Sequence, residues 1–168
     1  GKSIAAIAEL TAKDPFDVYF DLVIDEQMEA GIVIFMMDDD DVERILKDPG
    51  TMIGSDGVPA FGSAKPHPRM TGTFPRILGR YVREKGIITL EEAIRKMTSL
   101  PAQTFGLFKK GVLRPGMDAD LVVFDPNAVI DNATFEDPSQ PPAGIHWVVV
   151  NGAVAVEDGK IAGATSGK

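Results

Sequence analysis

Met52-Ile53-Gly54-Ser55-Asp56-Gly57, followed by His67-Pro68-Arg69 and Gly72-Thr73-Phe74-Pro75-Arg76, is the stretch on which the reading of this chain turns. A short apolar run, Thr51-Met52-Ile53, stops abruptly at Gly-Ser-Asp-Gly. That pattern predicts a buried strand delivering one carboxylate, Asp56, to its C-terminal mouth. The flanking glycines, Gly54 and Gly57, let the backbone turn sharply there. Arg69 follows on a loop rich in Pro and Gly. A carboxylate at a strand end suits proton transfer, and a nearby guanidinium suits anion recognition.

Upstream, Ile32-Val33-Ile34-Phe35-Met36 reads as a second buried strand of the parallel type. Between the two runs Asp38 to Asp41 open a helix whose inner face is Val42, Ile45 and Leu46. Strand, helix and strand make a compact βαβ crossover. Further towards the N-terminus, Ser3 caps a short helix carrying Ile4, Ile7 and Ala8 on one face. Asp14-Pro15 starts another, with Phe16, Tyr19, Phe20, Val23 and Ile24 as its apolar stripe.

Downstream, Thr73 is read as the cap of a helix traced by Phe74, Ile77, Leu78, Tyr81 and Val82. Thr89-Leu90-Glu91-Glu92 is a capping box leading into Leu90, Ala93, Ile94 and Met97, with Pro101 interrupting the helix. From Gly111 the pattern turns to β, through Val112-Leu113, Leu121 to Phe124 and Ile145 to Val150. Asn151-Gly152 signals a two-residue hairpin to Ala153–Val156, and Asp158-Gly159 a second turn before Lys160-Ile161-Ala162. Residues 125–144, rich in Pro, Asp and Asn, form a long irregular excursion.

The 168 residues carry a net charge of −8. That balance argues against nucleic acid and anionic membrane as partners. No apolar run approaches the ~20 residues of a membrane span, and no signal-peptide pattern opens the given residues. Zero cysteines exclude disulfides and fit a cytoplasmic protein. The start at Gly1 and the inventory of two histidines, His67 and His146, suggest a piece of something larger.

Each candidate has a plainer alternative. Asp56 also fits a turn aspartate in Ser-Asp-Gly, and Arg69 a loop arginine held by a local carboxylate. His67 either supports a site from behind or is a loop histidine wedged between Pro66 and Pro68. Arg76, Arg80 and Arg83 share a helical face, as a positive field or, more simply, a solvated one. The Asp38–Asp41 run looks like a cation site but is better explained by capping and dipole complementation.

The block from Ser55-Asp56-Gly57 to Thr73-Phe74-Pro75-Arg76 resembles the last barrel strand and following loop of the N-acyl-D-amino-acid deacylases, the D-aminoacylase family of the amidohydrolase superfamily. Gly116-Met117-Asp118-Ala119-Asp120-Leu121-Val122-Val123-Phe124-Asp125 resembles the superfamily tail that leads back into a small β-sandwich; in that motif Asp120 ties a turn together. The resemblance runs from Ser3 to Lys168. It implies an α/β fold, the C-terminal part of a TIM-barrel metal-dependent hydrolase plus C-terminal β-sandwich strands. Residues 1–106 would belong to the barrel and residues 107–168 to the sandwich.

In function, the resemblance implies a zinc-dependent hydrolase that deacylates N-acyl-D-amino acids, here without the strands that bring the metal-binding histidines. A TIM barrel needs ~250 residues. The 168 residues alone are therefore expected to be inactive and without zinc, and to need the remainder of their own barrel. In the family, an aspartate at the place of Asp56 takes a proton from metal-bound water and passes it to the leaving amine; its direct contact with the metal stays open. Arg69 is expected to grip the free carboxylate of the substrate, with His67, Ser55 and Gly57 also on the substrate-binding side. The alternatives are another amidohydrolase, of hydantoinase or dihydroorotase type, and a non-catalytic α/β assembly module.

Overall fold

The computed structural model describes residues 2–29, 31, 33–59, 65–163 and 165–167. Ile32 and the middle of the Val58–Pro66 loop lie outside the described residues. The chain begins with two packed helices, α1 (Ile4–Thr11) and α2 (Pro15–Asp25). Ser3 accepts from Ala6 N at 3.1 Å and Asp14 from Phe16 N at 2.8 Å, so each helix start is capped as its sequence requires. Only Ala8 and Val18 of the pair are buried. The stripe read on α2 is exposed at Phe16, Phe20 and Ile24.

Helix α3 (Asp39–Lys47) is capped by Asp38, which accepts from Asp40 N at 2.9 Å. The acidic run is thus a helix start. Leu46 is buried, whereas Ile45, read as part of the inner face, is exposed.

The βαβ crossover is not formed. Val33 to Met37 and Thr51 to Ile53 carry no strand pairing, and Phe35 and Met36 are exposed. A parallel strand needs a neighbour to take its amides and carbonyls. Among the described residues none lies beside these runs, and Ile53 N donates instead to Lys96 O at 3.1 Å. Val112-Leu113 likewise forms no strand.

Helix α4 (Arg69–Arg76) begins four residues before the expected cap. Thr73 sits inside it, its hydroxyl donating to Arg69 O at 2.9 Å. Pro75 removes one donor from the helix, and from Ile77 to Glu84 the backbone widens into a π-helical segment. Lys85 N there donates to Arg80 O at 2.9 Å, five residues back. Helix α5 (Leu90–Met97) is capped by Thr89, which accepts from Glu92 N at 3.2 Å. The second half of the capping box is absent, because Glu92 turns to Arg95 at 2.7 Å. A break at Thr98 starts α6 (Ser99–Thr104), with Pro101 in its first turn.

Four strands then form an antiparallel meander in the order β1-β2-β3-β4, namely Leu121–Phe124, Ile145–Val150, Ala153–Glu157 and Lys160–Ile161. Its two tight turns hold Asn151 at φ 48°, Gly152 at 81°, Asp158 at 45° and Gly159 at 75°. Those positive angles match the twist of the strands they join. Asp120 accepts from Asn151 N at 2.7 Å and is also bonded by the Lys110 ammonium, so it ties β1 to the hairpin.

The core joins the helices to the loop leading into β2. Leu46, Ile77, Leu78, Tyr81, Ala93 and Val129 are buried together, with Leu90, Ile94, Met97, Phe124 and Ile145 against them. Residues 125–144 lie so close to the π-helical segment that a Cβ on Gly79 would stand 2.6 Å from Val129 O. The three arginines of that face are engaged. Arg76 pairs with Asp131 at 2.9 Å, Arg80 with Asp39 at 3.3 Å, and Arg83 donates to Val129 O at 2.5 Å. Among the described residues no helix is long and apolar enough to cross a membrane.

Candidate functional site

One residue beyond Ile53 lies Ser55–Gly57, where a bond from Gly57 N to Ser55 Oγ makes a turn. Asp56 itself takes the left-handed conformation, at φ 47°, while neither flanking glycine has a positive φ. The expected use of Gly54 and Gly57 as the turning residues is therefore corrected. Aspartate tolerates this region better than most residues, and a non-glycine residue held there is a recurrent mark of functional sites. Gly57 serves another purpose, since a Cβ on it would stand 3.2 Å from the Cα of Met70. Ser55 Oγ closes the turn by accepting from Gly57 N at 3.2 Å.

Arg69 opens α4 and reaches back to this turn. Its Nη2 lies 2.8 Å from Asp56 Oδ2, and its Nε donates to Asp56 O at 2.8 Å. Both the carboxylate and the backbone of Asp56 are thereby fixed by one guanidinium. The Asp56 side chain is nevertheless 81% exposed and that of Arg69 42%.

His67 sits between them in role. Helix α4 has no side-chain cap from Pro68, and His67 Nδ1 instead accepts from Arg69 N at 3.1 Å. Its ring meets Phe135 edge to face, with centroids 5.2 Å apart, and Phe135 meets Phe35 in turn at 5.1 Å. Partial burial first, and then the charge of Arg69, lower the His67 pKa against the opposing pull of Asp56. A neutral ring is the form that can accept from the Arg69 amide. The Arg69 loop is further bound to the excursion by Lys65 Nζ on Glu136 O at 2.7 Å and Thr71 Oγ1 on Pro138 O at 3.4 Å.

Asp56, Arg69, His67, Ser55 and Gly57 are thus brought into one constellation. It offers an exposed carboxylate for proton exchange beside a planar cation for an anionic group. The donors present do not make a zinc centre. The sequence holds two histidines and no cysteine, and among the described residues no three His, Asp or Glu side chains group to hold an ion. His146 lies 3.7 Å from Asp158 at the far end of the meander. Sequence reasoning missed Lys96, which is 0% exposed and faces the carbonyls just before this turn. In the last turn of a helix, a lysine reads as ordinary dipole complementation.

A model of the amidohydrolase family matches residues 1–156. D-aminoacylase of Alcaligenes xylosoxydans xylosoxydans is 47% identical over 168 residues, all of this chain and 33% of its own length. A solved D-aminoacylase, described for its binuclear metal centre, superposes with a TM-score of 0.87 at 49% identity, covering 99% of this chain and 34% of that one. N-acyl-D-glutamate deacylase of Bordetella bronchiseptica, solved with zinc and a phosphonate inhibitor, gives a TM-score of 0.84 at 45% identity, over 96% and 33% of the two chains. The chain spans about a third of the length of these relatives. Matched over residues 1–156 by the family model and over 99% of its length by a solved relative, the chain belongs to the amidohydrolase family.

Proposed function

We propose that these residues serve a zinc-dependent hydrolase of N-acyl-D-amino acids, contributing the last part of its TIM barrel (residues 1–106) and the strands of its β-sandwich (residues 107–168). The observation that carries the reading is the Asp56–Arg69 pair, with its 2.8 Å contact. An acid–base carboxylate and a carboxylate-binding fork stand side by side on a chain 47% identical to a D-aminoacylase. In this reading water adds to the amide carbonyl, and the Asp56 carboxylate accepts the proton that water loses. The same proton goes to the nitrogen as the C–N bond breaks, giving a carboxylic acid and a D-amino acid. Arg69 holds the α-carboxylate, and His67 holds Arg69 through its amide. In this reading zinc, when bound, would supply an activated water, and most of its ligands come from outside these residues. The lack of cysteine supports the cytoplasm as the compartment.

The test is a ratio. In the whole protein, kcat/KM for an N-acetyl-D-amino acid is compared with that for its methyl ester, in wild type and Arg69→Ala. Loss of a charge-pair partner costs about 2–5 kcal/mol, and it is expected for the acid on top of whatever the release of Asp56 takes from acid and ester alike. Equal losses on both would make Arg69 a loop brace.

A further inference from the structure

Lys96 is fully buried at the end of α5, and its ammonium faces three oxygens of one segment. It donates to Thr51 Oγ1 at 3.0 Å, to Thr51 O at 3.2 Å and to the carbonyl of Asp48. The carbonyl of Lys96 accepts from Ile53 N at 3.1 Å. Its neighbour Arg95 donates to Pro49 O at 2.6 Å while held by Glu92. Among the described residues the nearest carboxylate to the Lys96 ammonium, that of Glu92, is 4.0 Å away.

A buried ammonium is a costly way to gain stability, and an apolar side chain of similar volume serves that end as well or better. Retaining one is useful where it holds a backbone in a single geometry, because its protons bind carbonyls in fixed directions. The segment it holds has no strand partner among the described residues and leads within three residues to Asp56. We propose that Lys96 is a positioning residue. By pinning Asp48–Ile53 it sets the Ser55–Gly57 turn, and with it the Asp56 carboxylate, for proton transfer; this rests on the role proposed for Asp56.

The experiment is a double-mutant cycle in the whole protein, with kcat and KM measured on an N-acetyl-D-amino acid. Lys96→Met is expected to lower kcat about tenfold or more with KM within about twofold, and to take nothing further from an Asp56→Asn enzyme. Thr51→Val keeps the volume but removes the hydroxyl that accepts from Lys96 and donates to Ile45 O, and is expected to lower kcat about threefold with the same dependence on Asp56. It carries the test if Lys96→Met does not fold. An equal loss with Asp56 and with Asn at that position, or an unchanged kcat, overturns the positioning role and leaves the proposed function standing. Full turnover by Asp56→Asn itself overturns both.

Discussion

Thr51–Ile53 and Leu121–Phe124 are both short apolar runs bounded by polar turns, yet only the second is a strand. Leu121–Phe124 has its partner in Ile145–Val150, and that strand is paired again through the Asn151-Gly152 turn. Thr51–Ile53 has no strand beside it among the described residues; Ile53 N donates to Lys96 O, Thr51 N to Asp48 O, and Thr51 O accepts from the Lys96 ammonium. Apolar patterning states that a segment is to be buried; it does not name what will take its hydrogen bonds. An antiparallel meander answers that question locally, whereas a parallel strand depends on neighbours brought by crossovers. The meander is therefore the self-contained region. Asp48–Thr51 is held by side chains of α5 and Asp56 by Arg69, and this is also where the exposed carboxylate stands.

If the second region exists for chemistry, its largest effect is on rate. Asp56→Asn in the whole protein is expected to lower kcat by about 10²–10⁴-fold, the usual worth of a general acid–base group. The urea midpoint should move little, because the Asp56 side chain is exposed. Near-normal kcat would reduce Asp56 to a turn residue and remove the contrast between the regions. A methyl group at the seam between helices and excursion probes how far the two are mechanically joined. Gly79→Ala drives a Cβ to within 2.6 Å of Val129 O and 2.4 Å of Ile130 Cδ1. Overpacking of this kind costs about 1–3 kcal/mol, read as a lower midpoint in urea unfolding. An unchanged midpoint would mean that residues 125–144 yield freely and lend the site no support.

What could be read from the sequence follows the same division. Ser3, Asp14, Asp38 and Thr89 were legible as caps, since a cap and its amides lie within a few residues. Asn151-Gly152 was legible because its φ angles are local requirements. Asp56 and Arg69 were legible as candidates in one motif, but their direct contact was not; it answers to the plainer reading of Arg69 as a loop arginine held by a local carboxylate. The left-handed φ of Asp56 was not legible either, because the neighbouring glycines were the more obvious turning residues. Nor was the start of α4 at Arg69, whose cap comes from the ring of His67 rather than from Thr73. Lys96 was invisible for a stronger reason: its partners lie 45 and 48 residues away, and two of the three are backbone oxygens that any sequence would supply.

The smallest effect belongs to the meander, at the tie between β1 and the hairpin. The Lys110 bond first, and then the Asn151 N–H, hold the Asp120 carboxyl below its ordinary value of 3.8 against the opposing effect of burial. Because the folded value is depressed, its stabilisation is present above the unfolded value and lost as pH falls through the folded one. On the alkaline side the Asp120 bond, followed by that of Asp118, raises Lys110 above 10.5. The stabilisation from Lys110 is therefore present below that value and lost as pH rises through the raised one. Asp120→Asn keeps an oxygen for the Asn151 amide and removes only the charge. The wild type should then unfold at higher urea than Asp120→Asn across neutral pH, with the gap closing in acid and again in strong alkali. The gap should also narrow with added salt, because both partners are about one-third exposed. If the gap stays constant from neutral pH into acid, the tie works through shape rather than charge. The meander would then be held by its ladder and turns alone, which sharpens its difference from a region that depends on a buried lysine.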